Sequence, residues 1–272
     1  MEIIKADGTK EEFNPEKLRS SLARSGAGEE VSDYIIKHIE GELRSGMTTS
    51  EIYHHAFDIL KLRSKPNAMR YSLRRALMEL GPTGFPFEDF VAEIFKTRGF
   101  STLTDQTVSG RCAEHEVDVI AWNEDKLLMA EAKFHNELGI KSDLKVALYV
   151  KARFEDIGEM ELGFGKKRRL DEGMLITNTK FSTSAVRYAE CRGLTLIGWN
   201  YPEKGNLQDM IEESGLHPIT AITTLNKNQR EMLMDKGVVL CRGIKQDEGL
   251  LAPLGMSKDK VKETMEEVHL VC

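Results

Sequence analysis

Apolar and polar positions in this chain follow two rhythms, and the sharper one lies at 116–134, EVDVIAWNEDKLLMAEAKF. There they alternate residue by residue, the period of a strand. In the first run Val117, Val119 and Ala121 take one face, and Glu116, Asp118, Ile120 and Trp122 take the other. In the second, Leu128, Ala130, Ala132 and Phe134 lie opposite Met129, Glu131, Lys133 and His135. The polar stretch NEDK between them predicts an antiparallel hairpin with a four-residue loop. Trp122 then faces Leu127, which sets Asp118 opposite Glu131 and Glu116 opposite Lys133. A slip of one residue would destroy this match.

Elsewhere the rhythm is helical. Phe87, Phe90, Val91, Ile94 and Phe95 form one stripe, with Glu88 at its edge and Glu93 toward the polar side. After the hairpin come a long helix (SDLKVALYVKARFEDIG), the run MLITN, a helix around TSAVRYAECRG and the run LTLIGW. Strands separated by a helix predict a crossover unit, so the fold class is α/β with a mixed sheet covered by helices. The first 85 residues predict a short hairpin turning at Asp7-Gly8, then helices. Asn14 is the cap and Pro15 the first helical residue of the first helix, and Ile35, Ile36, Ile39 and Leu43 form the stripe of the second. From about 215, NQREMLMDKGVVLC and KDKVKETMEEVHLV read as helices, with LLAPLGMS as a turn. The expected domains are therefore 1–85, 86–214 and 215–272.

The 272 residues, 40% hydrophobic and 30% charged, have room for such cores. No run is long enough to span a membrane, and MEIIKADGTK lacks a secretory apolar core. Four cysteines without a CxxC pair argue against a zinc ribbon or a disulfide framework. Reduced, buried cysteines and a cytoplasmic location are expected. A net charge of −6 means that any nucleic-acid surface must be local. The best candidates are Lys166, Lys167, Arg168 and Arg169 in a loop, joined by Lys145, Lys151 and Arg153 on the preceding helix.

Two acids opposed on a sheet are destabilising unless a cation lies between them. A hard ion such as Mg²⁺ (or Mn²⁺) takes carboxylate oxygens, waters and phosphates, and Lys133 would sit beside it to orient a water. Asp118 followed by Glu131-Ala132-Lys133, with FEDFVAEIFKTRGF and EHEVDVIA upstream, resembles the PD-(D/E)xK nucleases, particularly the Mrr-like restriction endonucleases. Val117 stands where that motif's name has proline. The resemblance implies that Asp118, Glu131 and the carbonyl of Ala132 hold the metal, that Lys133 assists the water and that Glu88 completes the acid set. His115 and His135 flank this site, while His38, His217 and His269 look isolated, and the adjacent His54 and His55 cannot share one ion.

The motifs KADG, FNPEKL and GMTTSEIY resemble the ATP-cone, a nucleotide-sensing module, over nearly all of residues 1–85. By position, Lys5, Glu11, Lys17 and Thr49 are the implied contacts to ATP or dATP; Ala6 replaces the usual basic residue. No P-loop is present, so the nucleotide would be an effector. The tail loosely resembles helix-hairpin-helix modules but lacks their Gly-x-Gly hairpin, which leaves packing or dimerisation as its alternatives. The reading is a metal-dependent DNA endonuclease under nucleotide control, a dimer if it cuts both strands. The alternatives are a nucleotide-responsive DNA-binding regulator with an idle nuclease fold, and a structure-specific or RNA nuclease.

Overall fold

Asp7 and Gly8 turn the chain as their types suggest. Gly8 has a positive φ of 77°, and the Asp7 carboxylate accepts from the backbone N–H of Thr9 at 3.0 Å. This computed structural model describes residues 1–81, 87–137 and 139–272. The turn joins β1 (Glu2–Ile4) to β2 (Lys10–Glu12). Four helices follow: α1 (Pro15–Arg24), α2 (Glu29–Glu42), α3 (Thr49–Arg63) and α4 (Lys65–Glu79). Asn14 caps α1 through its side chain, and Thr48 with Glu51 forms a reciprocal capping box on α3. Leu22, Ile35, Ile39, Ala56 and Leu60 are wholly buried between these helices.

The next segment forms α5 (Phe87–Thr97), β3 (Ser101–Ser109), β4 (Glu114–Trp122), β5 (Leu127–Lys133), β6 (Lys141–Ser142), α6 (Leu144–Gly158), β7 (Glu172–Thr177), β8 (Lys180–Phe181), α7 (Thr183–Arg192), β9 (Thr195–Ile197) and α8 (Leu207–Ser214). The main sheet runs β3-β4-β5-β7-β9, antiparallel from β3 to β5 and parallel from β5 to β9. It is the mixed sheet that the pattern predicts. One face carries Ile120, Leu127, Met129, Leu175 and Leu196 against α6 and α7. The other lies under α5, whose Phe90, Val91, Ile94 and Phe95 are buried. The edge strand β3 has no counterpart in the sequence reading. Its residues STLTDQTVS are mostly polar, and all but Val108 retain solvent exposure.

The tail forms α9 (Lys227–Met234), α10 (Cys241–Gln246) and α11 (Lys258–Val271), with 3-10 turns at Ile219–Ala221 and Glu248–Leu254. The helix expected over NQREMLMDKGVVLC ends early, at Met234; the chain turns at Gly237, whose φ is 76°, and α10 begins only at Cys241. Met69 of α4 lies in the tail's core with Ile219, Leu233, Ile244 and Val268, and the Thr220 hydroxyl donates to the carbonyl of Ala76 at 2.6 Å. The described residues accordingly divide into two units. One joins Met1–Leu80 and Glu137–Gly139 to His217–Cys272; the other holds Gly81–Asn136 and Ile140–Leu216.

Cysteine pairing departs from expectation. Cys241 and Cys272 are joined by a disulfide, while Cys112 and Cys191 are free and exposed rather than buried. The partners are separated by 31 residues and meet only because α11 folds back on α10, which spacing alone does not reveal. Among the described residues, no helix is long and apolar enough to cross a membrane.

Candidate functional site

The β4–β5 register is the expected one: Trp122 pairs with Leu127 and Val119 with Ala130. Asn123 shapes the turn by accepting from the backbone N–H groups of Asp125 and Lys126 at 2.9 and 2.8 Å. The ladder then stops one residue short of Asp118, and the expected Glu116–Lys133 pairing is not formed. Glu116 pairs instead with Thr107 of β3. The cause is Asp118 itself, whose Oδ2 accepts from the N–H of Ala132 at 2.7 Å, taking a place that a backbone carbonyl would occupy in a continuous ladder.

Strict alternation also breaks here. Val117 and Ile120 lie on the same, α6-facing side, although they are three positions apart. Opposite Asp118 in the β3 register stands Asp105, between the pairs Thr104–Val119 and Gln106–Val117. Among the described residues it is the one non-glycine with a positive φ, 53°. Aspartate tolerates this left-handed conformation better than most residues. Both strands thus switch face at one aspartate each, and Asp118 turns its carboxylate into the gap between β4 and β5.

Glu131 projects from β5 toward α6 and is 2% exposed. Its Oε1 lies 2.6 Å from the Lys133 ammonium, and its Oε2 is held by the Arg153 guanidinium from α6. Arg153 is 8% exposed, donates to the Tyr149 hydroxyl at 2.6 Å and keeps a buried Nε without a partner among the described residues. Arg153 was expected among the nucleic-acid contacts; it faces inward, because it shares the buried stripe of Val150, Phe154 and Ile157. Burial pushes the Asp118 carboxyl up to about 6, the nearby Glu131 charge adding to this and Lys133 and Arg153 opposing it. Asp118, Glu131 and Lys133 thus come together as the sequence pattern suggested, with an arginine that it did not.

Glu88 is half-buried at the start of α5. Its neighbour Phe87 packs on Phe134 with ring centroids 5.5 Å apart, so Glu88 enters at the Lys133 end of β5. However, α5 covers the sheet face opposite α6, and Glu88 has no hydrogen bond or ion pair among the described residues. His135 follows at the same end. Asn178 exchanges two hydrogen bonds of 2.8 Å with its backbone, and burial and Lys133 hold its imidazole below the ordinary range. His115 is engaged elsewhere, 2.8 Å from Asp156 on α6.

The basic loop does not line this site. Phe164 packs on Trp122 at 5.6 Å, and Arg168 donates to the carbonyl of Glu124 at 3.1 Å, so the loop lies at the turn end of the hairpin. Lys133 is six residues along β5 from Leu127, roughly 20 Å at strand rise. Lys166, Lys167 and Arg169 are exposed there, and Arg168 is half-buried. Lys145 is exposed at the start of α6, and Lys151 lies 3.7 Å from Glu155.

In the first unit a cavity of about 180 Å³ is lined by Glu11, Lys17, Thr49, Ile52, Tyr53 and Tyr71, among others. Three of the four residues assigned by resemblance thus line one hollow. Lys5 does not line it, but reaches Glu11 at 3.5 Å, while Lys17 lies 2.8 Å from the same carboxylate. These contacts hold the Glu11 carboxyl below its ordinary range, Lys17 being the larger influence. Tyr53 and Tyr71 stack at 5.1 Å, and the Arg75 guanidinium lies 3.8 Å over Tyr53. This aromatic wall escaped the sequence reading, although Tyr53 follows GMTTSEI directly.

Comparison with known proteins finds three family matches along the chain. Residues 1–78 match the ATP cone domain, 82–200 a restriction endonuclease domain of the Mrr type, and 217–272 the C-terminal domain of AF1548-like proteins. An uncharacterized protein of Archaeoglobus fulgidus is 37% identical over 182 residues, which is 66% of this chain and 99% of that one. The crystal structure of AF1548, a protein of unknown function, also aligns at 37% identity, covering 67% of this chain and 94% of that chain, with a TM-score of 0.49. The MspJI restriction endonuclease in complex with a 27-mer oligonucleotide aligns at 14% identity and a TM-score of 0.28, over 82% of this chain and 43% of that one. The chain therefore belongs to the AF1548-like family, and joins an ATP-cone to a restriction endonuclease-like domain.

Proposed function

We propose that this protein is a divalent-metal-dependent DNA endonuclease whose activity is set by a nucleotide bound to its ATP-cone. The observation that carries this reading is the convergence of Asp118, Glu131 and Lys133 where β4 parts from β5. The donor set suits Mg²⁺ or Mn²⁺, which take carboxylate and carbonyl oxygens. The fit rests on Asp118, a partly buried carboxylate whose Oδ2, among the described residues, accepts from the Ala132 N–H alone, and whose charge burial disfavours. Asp118, Glu131 and the Ala132 carbonyl would hold the ion, with Glu88 completing the acid set from α5. When bound, the ion supplies positive charge to the phosphoryl oxygens and acidifies a water.

The protein's own groups do the rest. Lys133 is half exposed and leaves Glu131 to orient the attacking water. Arg153 stays on the other Glu131 oxygen, so the buried carboxylate remains neutralised while Lys133 moves. Water attacks phosphorus as the ester oxygen opposite departs. Lys166, Lys167 and Arg169 contact the DNA backbone away from the scissile bond, with Lys145 and Lys151 on α6 adding charge.

For the cone, the cavity is smaller than a whole nucleotide site. It takes the base against Tyr53 and Tyr71, while Lys5 and Lys17 exchange Glu11 for phosphate. Control of the nuclease by ATP or dATP requires different nucleotide affinities in two states.

A second reading, a nucleotide-responsive DNA-binding regulator without catalysis, is favoured by one observation. Lys133 and Arg153 already occupy both Glu131 oxygens, closing the charge balance without a metal. Cleavage of plasmid, single-stranded DNA and RNA with Mg²⁺ or Mn²⁺, comparing native protein with Lys133→Ala, separates the readings. Loss of cleavage by roughly 10²–10⁴-fold is the expected result for removing a group that handles the water. A native protein that binds DNA but cuts none of these substrates refutes the nuclease.

A further inference from the structure

We infer that α2 and α3 of the first unit carry a separate site for a zinc-class transition metal, made by His38, Glu42 and His55. In sequence His38 looks isolated and His55 is merely the second of an adjacent pair. Folding brings them to one carboxylate. His38 and Glu42 are one turn apart on α2, and His55 arrives from α3. The Nε2 of His38 lies 3.3 Å from Glu42 Oε1, and the Nδ1 of His55 lies 2.6 Å from Oε2. The three ligand atoms all lie within 4.8 Å of one another, the one group of three or more histidine, cysteine or acidic side chains meeting that distance among the described residues.

The chemistry of the set favours a metal over a pair of ion pairs. One carboxylate balances a single imidazolium, and two imidazolium rings on one carboxylate bring two cations together. Two neutral imidazoles and a carboxylate instead offer three lone pairs to a single dication. Two imidazoles with a carboxylate and one open position is an established zinc arrangement, and imidazole nitrogen suits zinc, cobalt and nickel better than magnesium. The Tyr34 ring lies nearly parallel to that of His38, at 9° and 6.5 Å. All three ligands keep about two-fifths of their side-chain surface exposed, so an ion can enter. The site would pin α2 to α3, and it is independent of the oxygen-rich hairpin site.

The test is Co²⁺ titration of the full-length protein followed by visible absorption, with Zn²⁺ as competitor, in native protein and in Asp118→Asn. One equivalent of Co²⁺ is expected in both, with the intense bands of a tetrahedral ion, displaced by Zn²⁺ and unaffected by excess Mg²⁺. His38→Gln and His55→Gln should each weaken binding at least 100-fold, beyond the ~10–100-fold cost of losing an outer partner. Zn²⁺ should raise the thermal midpoint of native protein and not that of the double histidine variant. His38 is exposed and His55 half-buried, and circular dichroism verifies that the variants fold. Saturable binding that survives loss of both histidines, or that disappears in Asp118→Asn alone, overturns the inference, as does the absence of saturable binding in the native protein.

Discussion

Replacing Asp118 and Glu131 one at a time by their amides is expected to move the stability of the nuclease-like unit in opposite directions. Asp118 titrates at about 6 instead of 3.8, mainly because burial penalises its charge. A carboxyl whose folded value lies above its unfolded value weakens the fold as pH rises. The penalty is absent below about pH 3.8, grows between there and pH 6, and is complete above. At 1.36 kcal/mol per pH unit the gap is worth about 3 kcal/mol. Partial solvation roughly halves this, so Asp118→Asn should stabilise the metal-free protein by about 1–2 kcal/mol at pH 7.5. Its amide oxygen can still accept from Ala132. Glu131→Gln removes the charge that balances Arg153, which is 8% exposed and already has one unpartnered nitrogen. Breaking a buried pair from one side costs about 3–5 kcal/mol, and the retained amide places the change near 3. The assay is urea unfolding in EDTA, followed by tryptophan fluorescence. Both tryptophans, Trp122 and Trp199, belong to the nuclease-like unit, so the signal reports that unit alone. Asp118→Asn that destabilises by more than 1 kcal/mol, or Glu131→Gln that is neutral, would refute this account of the charges.

Three further outcomes follow from the same structure. Because Asp118 must be ionised to hold a cation, stabilisation by Mg²⁺ and any cleavage should fall as pH drops through about 6, and a midpoint near 4 would contradict the burial of this carboxyl. Glu11→Gln releases Lys5 and Lys17, so ATP should bind more tightly to it and more weakly to Tyr53→Ala; calorimetry showing neither change would dismiss the cavity as the nucleotide site. His217, buried and pushed down to about 4, should cost the first unit up to about 3 kcal/mol as pH falls from 6.5 to 4. That loss should be missing from His217→Gln in acid unfolding monitored by circular dichroism.

The hairpin was legible because both its strands are buried on a face that tolerates one register only. Val119–Ala130 through Trp122–Leu127 pair as the alternation requires. What alternation misses is the face switch, since a period of two assumes that every residue keeps an extended backbone. Asp105 does not, and no residue type announces a positive φ in a polar edge strand. β3 was invisible for a related reason: it packs so little apolar surface that its residues resemble a loop. The pairings of His38 with His55 and of Cys241 with Cys272 depend on helix packing, which local patterns do not encode.

Arg153 is a different case, because the signal was present and was misread. It lies three residues after Val150 and four before Ile157, on the inward stripe of α6. A charge at such a position must have a buried partner or it would cost several kcal/mol. The helix packs on the sheet face that carries Met129, and alternation puts Glu131 on that same face. Once α6 is placed on that face, the arginine on the stripe and the glutamate on the strand identify each other. The consequence reaches the chemistry. A site with Asp118, Glu131 and Lys133 alone carries one net negative charge and binds a dication for that reason. With Arg153 the four groups sum to zero, so the metal ion of the proposed function would have to be held against a neutral cluster. Its affinity would then depend on Lys133 withdrawing from Glu131, the same movement that the proposed mechanism needs to bring the lysine to the water.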